Sequence, residues 1–263
     1  MRATYAQDSK VDGEQTGFLM SDCGSTAVCQ FGEDPSSAAT SNQPCSEERS
    51  TDDTLDLLQR NPSWITTADA LMAALGARDD ETSGHAERVV SFSQRLGRQV
   101  GLSRREVAAL ELGARLHDIG KIAVPDSILH KPAELDTEEW QKMRQHPARG
   151  AAMVRKLRLP EGAALVVAQH HERWDGTGYP GRLVGEEISL PARVFSVIDA
   201  FDAITSDRVY RSGAPYEEAL RRITAASGTQ FDPRVVAAFT LVPAIDWEMI
   251  RIVCANESDP QLT

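Results

Sequence analysis

Beyond about residue 60, apolar positions recur with helical spacing almost throughout the chain. In "SGHAERVVSFSQRLGRQVG" the residues Val89, Phe92, Leu96 and Val100 fall at i, i+3, i+7 and i+11, one stripe of a helix. "LSRREVAALELGARLHDIGK" follows, with Ser103 positioned as its N-cap. Asp136 and Glu139 stand at capping-box spacing ahead of "TEEWQKMRQHP", which Pro147 interrupts. Another helix starts from Pro160 in "PEGAALVVAQHHERW". Pro191 sits at a first helical position, and Val194, Ile198, Phe201 and Ile204 continue that helix as a stripe. Pro215 and Gly228 bracket "PYEEALRRITAASG", and "DPRVVAAF" forms a last short helix. There is no run of alternating strand residues and no internal repeat. The expectation is an all-α helical bundle over 56–245, between an acidic, disordered tail at 1–55 and a C-terminal tail at 246–263.

Composition changes that picture little. Of 263 residues, 41% are hydrophobic and 25% charged, a globular balance. Apolar runs such as "ALMAALGA" at 70–77 are far shorter than the ~18–20 residues of a bilayer span, and "MRATYAQDSK" lacks an apolar secretory core. A cytoplasmic protein with no membrane span is expected. The formal charge of −11 argues against a general nucleic-acid binder. Residues 1–60 carry eleven acids and four bases, a net of −7, so residues 61–263 carry only −4. An anionic substrate is therefore compatible with the folded part, above all beside bound cations. Cys23, Cys29, Cys45 and Cys254 match neither a zinc module nor a Cys-x-x-C pair, and free thiols are expected.

The chemistry gathers in one third of the chain. All six histidines, His85, His117, His130, His146, His170 and His171, lie between residues 85 and 171. One histidine on a helix is ordinarily a satisfied core or surface residue; the company these keep is what counts. Glu81 and His85 are spaced i, i+4 and share a face if the helix already runs through Glu81. His117 and Asp118 are adjacent, about 100° apart on a helix, and both reach a centre lying between their directions. His170 and His171 repeat that geometry, His146 precedes Pro147, and Asp199 stands one turn before Asp202 in apolar surroundings. Imidazole and carboxylate without thiolate suit Fe or Mn, with Zn or Ni as alternatives. Eight candidate ligands exceed the shell of one ion and fit two or three divalent metals. Lys121, three residues after Asp118, has the charge to stabilise a phosphoryl or leaving oxygen. Asp175, Gly176, Gly178, Tyr179, Pro180 and Gly181 make a turn-rich wall directly after the His170-His171 pair.

In this order, "HDIGK", "HKP", "HP", "HHERWDGTGYP" and "DAFDAITSDRVYR" resemble the HD-GYP family of bacterial phosphodiesterases, a branch of the HD metal-dependent phosphohydrolases. The resemblance runs from "ARDDETSGHAERV" at 77–89 to "GTQFDPRVVAAF" at 228–239. It implies an HD-domain helical bundle with the HD-GYP extension. It implies hydrolysis of cyclic di-GMP to pGpG and then GMP, by attack of a metal-bridging hydroxide. Carried over motif by motif, the metal ligands are Glu81, His85, His117, Asp118, His146, His170, His171 and Asp199, with Asp118 bridging. Glu81 resembles the glutamate of a subset that holds a third metal. Lys121 assists at the phosphate, Asp202 stands behind the ligands, and Tyr179, Arg208 and Arg211 contact substrate. Diguanylate cyclase (GGDEF) domains are a partner the resemblance suggests, through the GYP loop. The chain departs from the family at Arg182, where a glycine is usual; Gly181 comes one position earlier, while Leu183 and Gly185 keep their places. The alternatives are an HD-type hydrolase of another cyclic dinucleotide and a catalytically silent module that binds cyclase domains.

Overall fold

The computed structural model describes residues 62–78, 84–207 and 212–257, and these are helical without a strand. Helices α1 (Pro62–Gly76), α2 (His85–Val100) and α3 (Arg104–Leu116) come first. A 3₁₀ turn at Ile119–Ala123 leads to the short α4 (Asp126–Leu129), then α5 (Thr137–Met143), α6 (His146–Lys156) and α7 (Glu161–Gln169). After the Gly-rich loop come α8 (Leu190–Thr205), α9 (Tyr216–Ala225), α10 (Pro233–Thr240) and α11 (Ala244–Glu257). Both expected N-caps form: Ser103 Oγ accepts the Glu106 N–H, and Asp136 accepts that of Glu139.

Helix α3 is buried on two sides. Its Leu110 and Ala114 join a core built with Val89, Phe92, Leu96, Val194, Phe195, Ile198 and Phe201 of α2 and α8. Its Leu112 and Leu116 join a second core with Ala68, Val154, Ala163, Ala164 and Val167 of α1, α6 and α7. A helix apolar on both flanks must lie between other elements. Its C-terminal end, where His117 stands, therefore emerges where the two cores meet.

Three sequence expectations are corrected. The helix of "LSRREVAALELGARLHDIGK" stops at Leu116, and its last residues tighten into the 3₁₀ turn. Gly120 lets that turn sit against α6: a Cβ there would lie 1.9 Å from the His146 carbonyl oxygen, so the two backbones are in direct contact. Pro147 does not merely end a helix; it stands in the first turn of α6, where a missing N–H costs nothing. Most of the stretch from 246, expected as a tail, is helix α11, with Trp247 only 1% exposed in the larger core. Apolar side chains occur on both sides of α11, Trp247 and Cys254 inward and Ile245, Met249, Ile252 and Val253 outward, so no single stripe announced it. The expected tail at 1–55 lies outside the described residues, as do Cys23, Cys29 and Cys45; Cys254 is a buried free thiol. No helix among the described residues is long and apolar enough to cross a membrane.

Candidate metal centre

Seven of the eight expected ligands converge. Asp118, His146, His170 and His171 form one group, and His85, His117 and Asp199 a second; within each group the donor atoms lie within 4.8 Å of one another. The cluster is assembled from five segments. His85 opens α2, His117 caps α3, His146 opens α6, His170 caps α7 and Asp199 comes from α8.

Local hydrogen bonds aim the rings. His117 Nδ1 donates to the Ala114 carbonyl at 2.9 Å, His146 Nδ1 to Met143 at 2.9 Å and His170 Nδ1 to Val167 at 2.8 Å. In each case the acceptor lies three residues back, so the helix end itself holds the imidazole. With Nδ1 carrying the proton, each Nε2 keeps its lone pair for the centre. Burial, with His146 and its other imidazole neighbours, pushes His170 and His171 well below the usual histidine range. Neutral imidazoles converging on one point are the donor form that divalent cations require, so the cluster could hold metal ions.

Asp118 lies between the groups. Its Oδ1 is 3.2 Å from His146 Nε2 and 3.9 Å from His170 Nε2, whereas Oδ2 is 3.3 Å from His117 Nε2. Lys121 Nζ pairs with the same Oδ2 at 2.5 Å. Burial opposes ionisation of Asp118, but the Lys121 ammonium and His117 outweigh it and hold the carboxyl well below its usual range. Lys121 is buried beside Asp118, so it is not a solvated surface lysine.

Behind His85 stands Asp202. Its Oδ2 accepts the His85 Nδ1 proton at 2.8 Å, which turns His85 Nε2 towards Asp199 Oδ1, 4.0 Å away. Arg88 grips the same carboxylate with Nε at 2.7 Å and a second nitrogen at 3.0 Å, and Ser206 Oγ adds a bond at 3.0 Å. Burial disfavours this charge, yet the bonds from His85 and Arg88 keep Asp202 ionised far below the usual range.

The loop after α7 is stitched back onto the site. The Tyr179 N–H donates to the His171 carbonyl at 3.1 Å, and the Glu172 carboxylate accepts the Gly181 and Leu183 N–H groups at 2.6 and 3.1 Å. Gly178 packs so closely that a Cβ would lie 2.4 Å from the Arg173 nitrogen. Tyr179 is thereby laid beside His171, ring centres 4.7 Å apart and planes 30° apart. Its phenol is pushed well above the usual tyrosine range by burial and the Asp118 charge, so it stays protonated. Arg182 takes φ 56°, the left-handed conformation that a glycine would adopt at that position without strain.

Glu81, Arg208 and Arg211 lie outside the described residues. His130 is not in the cluster; its Nε2 bonds the Arg78 carbonyl. Arg88 and Glu172 escaped the sequence reading, although one stands three residues after His85 and the other directly follows His171. Arg88 shares α2 with Arg95 and Arg98, and its spacing alone does not set it apart from them.

The HD domain family model matches residues 69–235, a span that holds all seven converging donors. The chain belongs to the HD domain family. Among curated HD relatives, the cyclic di-GMP phosphodiesterase response regulator RpfG of Xanthomonas campestris is 42% identical over 65% of this chain and 46% of its own length. The cyclic di-GMP phosphodiesterase of Thermotoga maritima is 43% identical over 62% of this chain and 45% of its own. The 3′3′-cGAMP-specific phosphodiesterase 2 of Vibrio cholerae is 39% identical over 63% of this chain and 32% of its own. The chain thus spans less than half the length of each of these relatives.

Proposed function

We propose that the chain is a metal-dependent phosphodiesterase that opens cyclic di-GMP to pGpG and carries it on to GMP. The observation that carries this reading is the Asp118 carboxylate, whose two oxygens address two different donor groups. His85, His117 and Asp199 would hold one ion, His146, His170 and His171 another, and Asp118 would serve both. Glu81 would hold a third. A set of imidazoles and carboxylates without thiolate suits Fe or Mn, with Zn or Ni as alternatives. Ions so held supply an activated water and offset negative charge on phosphoryl oxygens.

The chain's own groups do the rest. Lys121 is a buried cation already beside the centre, so it can meet charge that develops on a phosphate without reorganising. Asp202 and Arg88 keep His85 in one orientation and one tautomer. Tyr179, neutral and packed on His171, gives substrate an apolar wall and shields that side from water. Arg208 and Arg211 would contact substrate.

A second substrate has a specific observation behind it, since the Vibrio cholerae relative named for 3′3′-cGAMP matches over a similar share of the chain, 63%. One experiment separates the readings. Protein purified without oxygen and assayed for metal content is incubated with cyclic di-GMP, 3′3′-cGAMP or cyclic di-AMP, and products are separated by chromatography. Cyclic di-GMP should give pGpG and then GMP, the activity lost on chelation and restored by Fe or Mn. Faster turnover of 3′3′-cGAMP would move the substrate, and metal-loaded protein inert towards all three would overturn the proposal.

A further inference from the structure

We propose that Arg144 is a specificity-determining residue that recognises the guanine base of the substrate; this rests on the cyclic-dinucleotide reading above. Arg144 caps the C-terminal end of α5, two residues before His146. Its guanidinium carbon lies 5.3 Å from the Tyr179 ring centre and 5.6 Å from that of Trp140. Two aromatic rings thus hold the guanidinium at the rim of the centre. The side chain is exposed, and among the described residues no carboxylate lies within ion-pair distance of it. The flanking cations are differently engaged. Lys131 pairs with Glu139 at 2.5 Å, and Arg149 donates to the Ala123 carbonyl at 2.9 Å. Arg144 is therefore pre-organised, while its donors remain free for a ligand.

Its position argues for a base rather than the reacting phosphate. Moving outward from the donor cluster, His171 comes first, the Tyr179 ring packs on it, and Arg144 packs on Tyr179. A phosphate over the centre would meet Lys121; a group one ring-width further out would meet Arg144, with Trp140 and Tyr179 faces beside it for stacking. Guanidinium offers donors only. Guanine presents two adjacent acceptors, O6 and N7, which match that fork, whereas adenine puts an amino donor in place of O6. The geometry therefore selects guanine over adenine at this position.

The test compares wild type, Arg144→Ala and Arg144→Lys in the metal-loaded full chain. KM and kcat are measured for cyclic di-GMP, and cyclic di-AMP is run as substrate or competing inhibitor. Thermal melting and metal content, expected to match wild type for this exposed residue, control for folding. Arg144→Ala should raise the KM for cyclic di-GMP by about 5- to 150-fold, the range a lost bidentate base contact gives. The kcat should change little, and the affinity for cyclic di-AMP should hold. Arg144→Lys keeps the charge without the fork and should resemble Arg144→Ala. Equal weakening towards both dinucleotides, recovery by lysine, or an unchanged KM would each overturn the assignment while leaving the phosphodiesterase standing. A wild-type protein inert to every cyclic dinucleotide would remove both.

Discussion

Asp118 and Lys121 separate two kinds of contribution within one turn of chain. Asp118 faces imidazoles of both donor groups, and under the proposed bridging role Asp118→Ala should lower metal equivalents per chain and abolish turnover. The helical circular dichroism should persist, because the residue caps no helix with its side chain. Near wild-type hydrolysis by that variant would end the bridging role. Lys121 holds no donor position, and Lys121→Ala should keep the metal yet slow turnover by roughly 10²–10³, as loss of an oxyanion donor does. If elemental analysis shows that metal is lost with the lysine, its task is to set the Asp118 carboxylate rather than to meet substrate. Both residues were legible in "HDIGK" from their chemistry. The role of Gly120 between them was not, because a need for backbone contact with His146 appears only once α6 has its place.

At the level of elements, the helices with a single apolar stripe or a capping signal were legible. The junctions that carry the site were less so. His117, His146 and His170 all stand at helix ends, where a carbonyl three residues back takes the Nδ1 proton. Periodicity locates the middle of a helix well and its end poorly, so the convergence of these rings could be inferred from residue type but not from pattern. The loop after α7 shows the same limit. Its turn residues were plain, yet the Glu172 carboxylate that pins it is a single acid in a charged segment. Glu172→Ala should remove the acceptor that ties the Gly181 and Leu183 N–H groups back to the site and so loosen the loop. Tyr179 would then lose its fixed place on His171, so KM should rise while metal content holds. Glu172→Gln keeps one acceptor and should fall between the two. Denaturant unfolding together with KM measurements checks this, and an unchanged KM would detach the loop from substrate binding.

For the whole molecule, the informative error is the C-terminal boundary. Cutting the domain at 245 would discard Trp247, whose ring lies 5.6, 5.3 and 5.1 Å from those of Phe92, Phe201 and Phe239. Those three come from α2, α8 and α10, so α11 ties together helices that are far apart in sequence. Arg251 adds to the tie: it lies over Phe92 and Phe201 and bonds the Thr205 hydroxyl and carbonyl at the end of α8. Helix α8 carries Asp199 and Asp202, and α2 carries His85 and Arg88, so α11 braces two of the elements that build one donor group. Trp247→Ala should cost about 3–5 kcal/mol, the usual range for emptying a large buried aromatic site. Trp247→Phe, which keeps most of the stacking area, should cost much less. Truncation after Val242 should do at least as much damage as the alanine, and it should lower metal occupancy through His85 and Asp199 before the domain unfolds. Thermal unfolding of the three variants, with metal analysis below the transition, decides the matter. A truncated chain that melts like wild type would return residues 246–263 to the status of a tail.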